Sequence, residues 1–348
     1  MKRFISFGSI GQFNSVIKDV NWKVQDENIQ LPKITAIGSE KIHGTNASVC
    51  YSDQDGFWVQ SRKNIINLNS DNMGCALAAY TNQQVWIDII NFLALEYNID
   101  LNANVISIYY EWSGGNVQRI SALSGLDKRA VIFQYFKVSP LVAELDESGQ
   151  EISVKWFKTC GSDGYIESPE DNIWNIMKFP TVEIEIDFNQ PFLSQNKMIE
   201  MVERIENESL VGKSFGINGN TGEGYVFTFE FDGDLLRFKV KGDKHAKGAG
   251  KIKRLHPVNE EEENKIITFV NDVACVSWRL EQMYNEILQE NNGITSIKMM
   301  SSFLKKVMKD THKEESYLII EQELNVSKIN KKIAQVAKIY FQSKLDEM

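Results

Sequence analysis

The sequence predicts an α+β fold: a first part rich in antiparallel sheet, followed by a small all-α domain. Up to Lys241 the apolar residues fall in short or alternating runs between turn residues, which is the period of strands. Beyond His256-Pro257 they recur at helical spacing instead. The 348 residues also exceed one typical domain. We therefore expect a sheet-rich domain over 1–254 and a helical domain over 258–348.

Residues 1–32 show no clear period, and Phe4, Ile5, Phe7, Ile10 and Phe13 are expected to pack onto the sheet. An extended run at Lys33–Ile37 is followed by expected strands at Asn46–Tyr51, Phe57–Ser61, Val105–Glu111 and Ala130–Val138. Later strands are expected at Thr181–Phe188, Tyr225–Phe231 and Leu235–Lys241, the last two joined by an Asp232-Gly233-Asp234 hairpin turn. Helical spacing marks Cys75–Leu95, Asp171–Lys178 and Ser194–Glu208. In the second domain Ile266, Phe269, Val273, Leu280, Met283 and Ile287 predict one long helix. Glu260–Glu263 favour its N-terminus electrostatically, and Asn291-Asn292-Gly293 stops it. Phe303–Met308 and Ile329–Tyr340 predict further helices.

Composition excludes several classes. A chain with 43% hydrophobic residues, 6 Pro and 22 Gly is neither collagen-like nor low-complexity. Cys50, Cys75, Cys160 and Cys275 contain no C-x-x-C pair, so neither a zinc knuckle nor a disulfide scaffold is expected. A basic start without a continuous apolar stretch is not read as a signal peptide, and no window approaches the ~20 apolar residues of a bilayer span. A soluble cytoplasmic protein is the expectation.

The net charge of −9 excludes a polybasic coat protein, so any grip on phosphate must be local. Between Arg237 and Arg254 stand eight basic residues, Arg237, Lys239, Lys241, Lys244, Lys247, Lys251, Lys253 and Arg254, against Asp243 alone. That segment carries +7 and leaves −16 on the rest of the chain. Within Phe238-Lys239-Val240-Lys241, strand alternation puts both lysines on one side, where two ammonium groups suit a polyphosphate. Far upstream, Glu40-Lys41-Ile42-His43-Gly44-Thr45-Asn46 sets a lysine beside a glycine that lets backbone approach a ligand closely. A lysine is a nucleophile only when neutral, a state that burial or nearby cations favour.

Lys41-Ile42-His43-Gly44-Thr45-Asn46 resembles the nucleotidyltransferase motif of RNA ligases. The histidine two places after the lysine is similar to the phage RNA ligase 2 and RNA-editing ligase branch, whereas DNA ligases and capping enzymes usually carry aspartate there. The other motifs of that family follow in order. Arg62 looks like the arginine after the nucleophile strand, and Glu111 in Tyr110-Glu111-Trp112 like the glutamate that contacts the nucleotide sugar. Phe133 resembles the aromatic that stacks on adenine, Glu223-Gly224 the motif that supports metal and phosphate, and Lys239 with Lys241 the closing Lys-x-Lys motif. Two positions depart from the pattern: Thr228 stands where a lysine is common, and Gln134 where an aspartate commonly follows the stacking aromatic.

The resemblance implies an antiparallel nucleotidyltransferase (adenylation) domain and an ATP-dependent RNA ligase that joins 3′-OH and 5′-phosphate RNA ends, nicked duplex among them. It implies a lysyl-AMP on Lys41, with Lys239 and Lys241 also catalytic, and Mg²⁺ or Mn²⁺ held by Glu223. Glu40, Ile42, His43, Asn46, Arg62, Glu111 and Phe133 join these residues in the implied nucleotide site. Lys244, Lys247, Lys251, Lys253 and Arg254 are expected to lie along a nucleic-acid backbone. The rivals are a DNA ligase or capping-type nucleotidyltransferase, and a non-catalytic RNA-end binding module. A monomer is expected.

Overall fold

The computed structural model describes residues 2–25, 31–118, 121–143, 151, 153–242, 244–245 and 260–346. The chain divides into two compact units, Met1–Arg254 and Leu255–Met348.

The first unit begins with β1 (Gly11–Gln12), α1 (Phe13–Gln25), β2 (Lys33–Glu40), β3 (Thr45–Ser52), β4 (Gly56–Ser61) and β5 (Ile65–Ile66). Helices α2 (Cys75–Thr81) and α3 (Gln83–Glu96) precede β6 (Asn104–Ser113), β7 (Arg129–Ile132), β8 (Tyr135–Pro140) and β9 (Lys155–Lys158). Then come β10 (Cys160–Gly161), β11 (Gly164–Tyr165), β12 (Ile173–Asn175), β13 (Val182–Asp187), α4 (Leu193–Asn207), α5 (Leu210–Ser214), β14 (Gly224–Phe231) and β15 (Asp234–Lys241).

One sheet runs β1-β15-β14-β2-β13 and is antiparallel except for the β1/β15 pair. Its inner face carries Ala36, Ile184, Phe227, Phe238 and Val240, covered by Phe13, Val16 and Val20 of α1 and by Met198, Val202 and Ile205 of α4. With Phe238 and Val240 turned inward, strand alternation leaves Arg237, Lys239 and Lys241 on the opposite face. A second sheet runs β12-β7-β6-β3-β4-β5, with β8 also on β6 and β9 on β8. Trp86, Ile90 and Leu93 of α3 cover its Val49, Val59, Ile106 and Ile108. Strand β2 belongs to the first sheet and β3 to the second, so Lys41–Gly44 is the crossing between them.

Four expectations change. Ala130–Val138 is two strands, because β7 pairs with Tyr110–Ser113 and β8 with Asn104–Ser107 of the same long β6, and the chain steps between ladders at Phe133-Gln134. Asp171–Lys178 is not a helix: β12 lies parallel to β7 between two single 3₁₀ turns, and a strand followed by a turn imitates the apolar spacing of a helix. Cys75–Leu95 breaks at Asn82, the shared boundary of α2 and α3. Residues 13–25, without a clear period in the sequence, form α1.

The second unit contains α6 (Glu260–Phe269), α7 (Ser277–Glu290), α8 (Met300–Glu314), α9 (Ser316–Glu321) and α10 (Val326–Asp346) around Phe269, Met283, Phe303, Val307, Ile333 and Phe341. The expected single long helix is interrupted by a π turn at Val270–Ala274 and an extended Val276. Arg279, 1% exposed, compensates for the break. Its guanidinium donates to the Val273 carbonyl and pairs with Asp310 at 2.9 Å and Glu315 at 2.6 Å, so the freed carbonyl is not left bare. Lys306 of α8 pairs with Glu286 and Glu290 of α7 at 3.0 and 2.9 Å.

Candidate active site

The crossing segment is fixed on both sides. The Lys41 N–H donates to the Gly224 carbonyl at 2.8 Å, continuing the β2/β14 ladder by one residue. Ile42 is 4% exposed and packs among Val131, Ile176 and Val211, a burial contributing roughly 2 kcal/mol. Ser113 Oγ donates to the His43 carbonyl at 3.2 Å. At Gly44 any Cβ would run into the Trp112 carbonyl, so only glycine fits, and its N–H donates to Glu111 Oε1 at 3.0 Å. The loop therefore holds Lys41 in one place.

Glu223, immediately before β14, is the centre of the charged cluster. Its Oε2 lies 2.7 Å from Lys41 Nζ and 3.2 Å from His43 Nδ1, while Oε1 pairs with Lys241 Nζ. Burial alone would raise this carboxyl, but the His43 hydrogen bond and the Lys41 and Lys241 charges outweigh it and hold Glu223 well below the usual carboxylate range. Lys41 thus faces the Glu223 carboxylate directly, with Lys241 on the other oxygen. Beyond His43, the ring of His245 lies 5.6 Å away, and burial lowers the pKa of His245.

A cavity of about 320 Å³ opens in front of Lys41, within the size range of small-ligand sites. Asn46, Arg62, Glu111, Phe133, Lys239 and Lys241 of the expected set line it, as do Glu40 and Ile42. Asn46 and Glu111 sit opposite each other in the β3/β6 register. Desolvation pushes Glu111 up to about 7, against the Lys41 charge and the Gly44 hydrogen bond. Phe133 is partly exposed at the step between β7 and β8 and presents a ring to the cavity wall. Desolvation, followed by the charges of Lys241, Lys41 and Arg62, lowers Lys239.

Other expected residues sit differently. Glu40, 2% exposed, accepts from Ser209 Oγ at 2.5 Å and from the Val211 N–H at 3.0 Å. Its carboxylate is taken up by the first turn of α5, while the residue still lines the cavity. The side chain of Ile42 is core, and its contribution to the site is the placement of the loop. His43 and Glu223 are not among the residues that line the cavity, and Glu223 reaches it through its contact with Lys41. Lys244 is drawn to α4: its N–H donates to Glu206 Oε1 at 2.8 Å and its Nζ to the Glu206 carbonyl at 3.1 Å. Lys247, Lys251, Lys253 and Arg254 lie outside the described residues.

Sequence reasoning did not place His245 at the site, took Phe7 only as packing and Arg237 only as part of the basic segment, and placed Thr228 and Gln134 only as departures. Phe7, Gln134, Thr228 and Arg237 all line the cavity. The two departures touch: Thr228 Oγ1 donates to Gln134 Oε1 at 2.5 Å. Among the described residues no group of three or more His, Cys, Asp or Glu side chains gathers as a metal cage.

No curated protein matches the sequence. Solved structures that match include a Naegleria gruberi RNA ligase mutant with AMP and Mn, 14% identical over 70% of this chain and 58% of that one, with a TM-score of 0.40. Another mutant of that ligase, with ATP and Mn, is 14% identical over 70% and 57% of the two chains, with a TM-score of 0.39. The Naegleria gruberi RNA ligase with PPi is 15% identical over 70% and 58%, with a TM-score of 0.38. The present chain therefore spans little more than half of each of these solved proteins. The RNA ligase family model matches residues 34–241, from the start of β2 to the second lysine on β15, and on that match the chain belongs to the RNA ligase family.

Proposed function

We propose that this chain is an ATP-dependent RNA ligase that joins a 3′-OH to a 5′-phosphate through an adenylate carried on Lys41. The supporting observation is one cavity lined together by Lys41, Arg62, Lys239, Lys241, Glu111 and Phe133. Negative charge moves between phosphate oxygens in every step of such a reaction, and fixed cations placed beforehand stabilise it.

In the first step neutral Lys41 Nζ attacks the α-phosphorus of ATP; the N–P bond forms, the bridging P–O bond breaks and pyrophosphate leaves. Glu223 is held too low to take a proton efficiently, so it orients the amine, and the proton leaves to water in the open cleft. An oxygen of the RNA 5′-phosphate then attacks the same phosphorus and frees Lys41. Finally the 3′-hydroxyl attacks the capped 5′-phosphorus, the phosphodiester forms and AMP departs.

Glu111 would accept from the ribose, Phe133 would stack on the base, and Lys239, Lys241 and Arg62 would meet the phosphates. One carboxylate among many phosphate oxygens fits Mg²⁺ or Mn²⁺, hard ions that keep several waters, and Glu223 would help hold the ion. When bound, the metal neutralises charge on the transferring phosphoryl oxygens.

Sealing of nicked duplexes tests this function. With ATP and Mg²⁺, nicks with an RNA 3′-OH side should be sealed, and Lys41→Ala should seal none. All-DNA nicks sealed as fast as RNA ones would contradict the RNA assignment. Salt-sensitive RNA binding without any sealing would make the chain a binding module.

A further inference from the structure

The β14/β15 hairpin sets Thr228 directly opposite Arg237. Thr228 is a neutral residue at a position where the motif resemblance leads one to look for a cation, and its hydroxyl is occupied by Gln134. The positive charge is present one strand away. Arg237 shares a face of β15 with Lys239 and Lys241 and lines the same cavity.

The surroundings of Arg237 are unlike those of a surface arginine. Its guanidinium carbon lies 4.4 Å from the ring centroid of Phe7 and 4.3 Å from that of Trp156, two rings that meet edge to face at 5.8 Å and form a corner against which it packs. Phe7 in turn lies 5.2 Å from Phe133. The Phe7 wall is firmly built: Gln60 clamps the neighbouring Ile5 backbone at 2.8 and 3.0 Å, and Tyr109 donates to the Ile5 carbonyl at 2.9 Å. Among the described residues no carboxylate pairs with Arg237, and its hydrogen bond is a 3.4 Å contact to the Phe7 carbonyl. Burial pushes this group down to about 10. A guanidinium has five donors, and withdrawing one from water without a counter-ion is costly unless a ligand supplies acceptors.

We propose that Arg237 is a nucleotide-binding residue that supplies, from across the β-ladder, the charge absent at Thr228, donating to acceptor atoms of the purine that stacks on Phe133. The base is favoured over the phosphates because Arg237 packs against the Phe7 ring that adjoins Phe133, whereas Lys41 and Lys241 gather on Glu223. This inference rests on the ligase function proposed above.

The test is equilibrium dialysis of ATP and of inorganic tripolyphosphate against Lys41→Ala protein, in which no covalent adenylate forms. Adding Arg237→Ala should weaken ATP binding at least tenfold and leave tripolyphosphate binding within twofold, and Arg237→Lys should fall between. Adding Thr228→Lys to Arg237→Ala should recover threefold or more. Unchanged ATP affinity in Arg237→Ala or, if that variant does not fold, in Arg237→Lys would overturn the proposal. So would equal losses for ATP and tripolyphosphate, or no recovery with Thr228→Lys. The ligase function is judged separately by AMP uptake in the unmutated chain. If uptake occurs and Arg237 variants still bind ATP normally, only the inference falls; if uptake and ATP binding are both absent, both fall.

Discussion

Lys41 and Lys241 grip opposite oxygens of the Glu223 carboxylate, Lys41 at 2.7 Å on Oε2 and Lys241 on Oε1. The proposed nucleophile and the second lysine of Lys239-Val240-Lys241 are 200 residues apart in the chain, yet one buried side chain joins them. Glu223→Gln keeps the shape and removes the charge. It should slow AMP uptake about 30-fold or more, equivalent to ~2 kcal/mol in the transition state. Uptake of labelled AMP measured at saturating ATP checks this, and a rate within threefold of wild type would remove Glu223 from the chemistry.

Glu111 and Glu223 should affect stability with pH in opposite directions. The carboxyl of Glu111, pushed up to about 7, stays protonated in the folded chain above the pH at which it ionises in the unfolded one. Its contribution is complete below about pH 4.5 and is lost as pH rises towards 7, by an amount on the order of 3 kcal/mol. Glu223, held low, contributes above its unfolded value and loses that contribution as pH falls. Thermal melts of Glu111→Gln from pH 5 to 8 should show a smaller decline than wild type. Parallel curves would refute the assignment.

Gly44→Ala should be severe for a conservative change. The new methyl group meets the Trp112 carbonyl and, at 3.0 Å, Ser113 Cβ, so the crossing between the sheets must shift. A loss of roughly 1–3 kcal/mol is expected in urea denaturation. AMP uptake should also fall, because the Gly44 N–H would no longer meet Glu111.

Glu40→Ala should act on stability. It leaves Ser209 Oγ and the Val211 N–H at the start of α5 without their acceptor, at a cost of roughly 1–3 kcal/mol. The affinity for ATP should change by less than threefold, which binding measurements on the folded variant can check. A large loss of affinity with unchanged denaturation would make Glu40 a ligand after all.

The elements that the sequence announces are those whose signal is local. Lys239 and Lys241 could be put on one face because strand alternation needs only their neighbours Phe238 and Val240, and the Asp232-Gly233 turn has the positive φ values, 51° and 74°, that this dipeptide favours. Helix α1 was legible in principle, since Phe13, Val16, Ile17, Val20 and Val24 follow helical spacing. What escaped depends on partners distant in the chain. Glu40 reads as a ligand beside the nucleophile until Ser209, 169 positions on, is seen to engage it. Nothing near Arg237 announces Phe7, 230 residues earlier, whose ring lies 4.4 Å from its guanidinium. Likewise the break at Val270–Ala274 follows from a buried Arg279 whose acid partners come from another helix and the residue just beyond it.

The proposed chemistry is decided by the intact mass of the purified chain after incubation with ATP and Mg²⁺. An increase of one adenylate on the wild type and none on Lys41→Ala is the predicted result. An unmodified wild type, or an adenylate that persists when Lys41 is alanine, would contradict it.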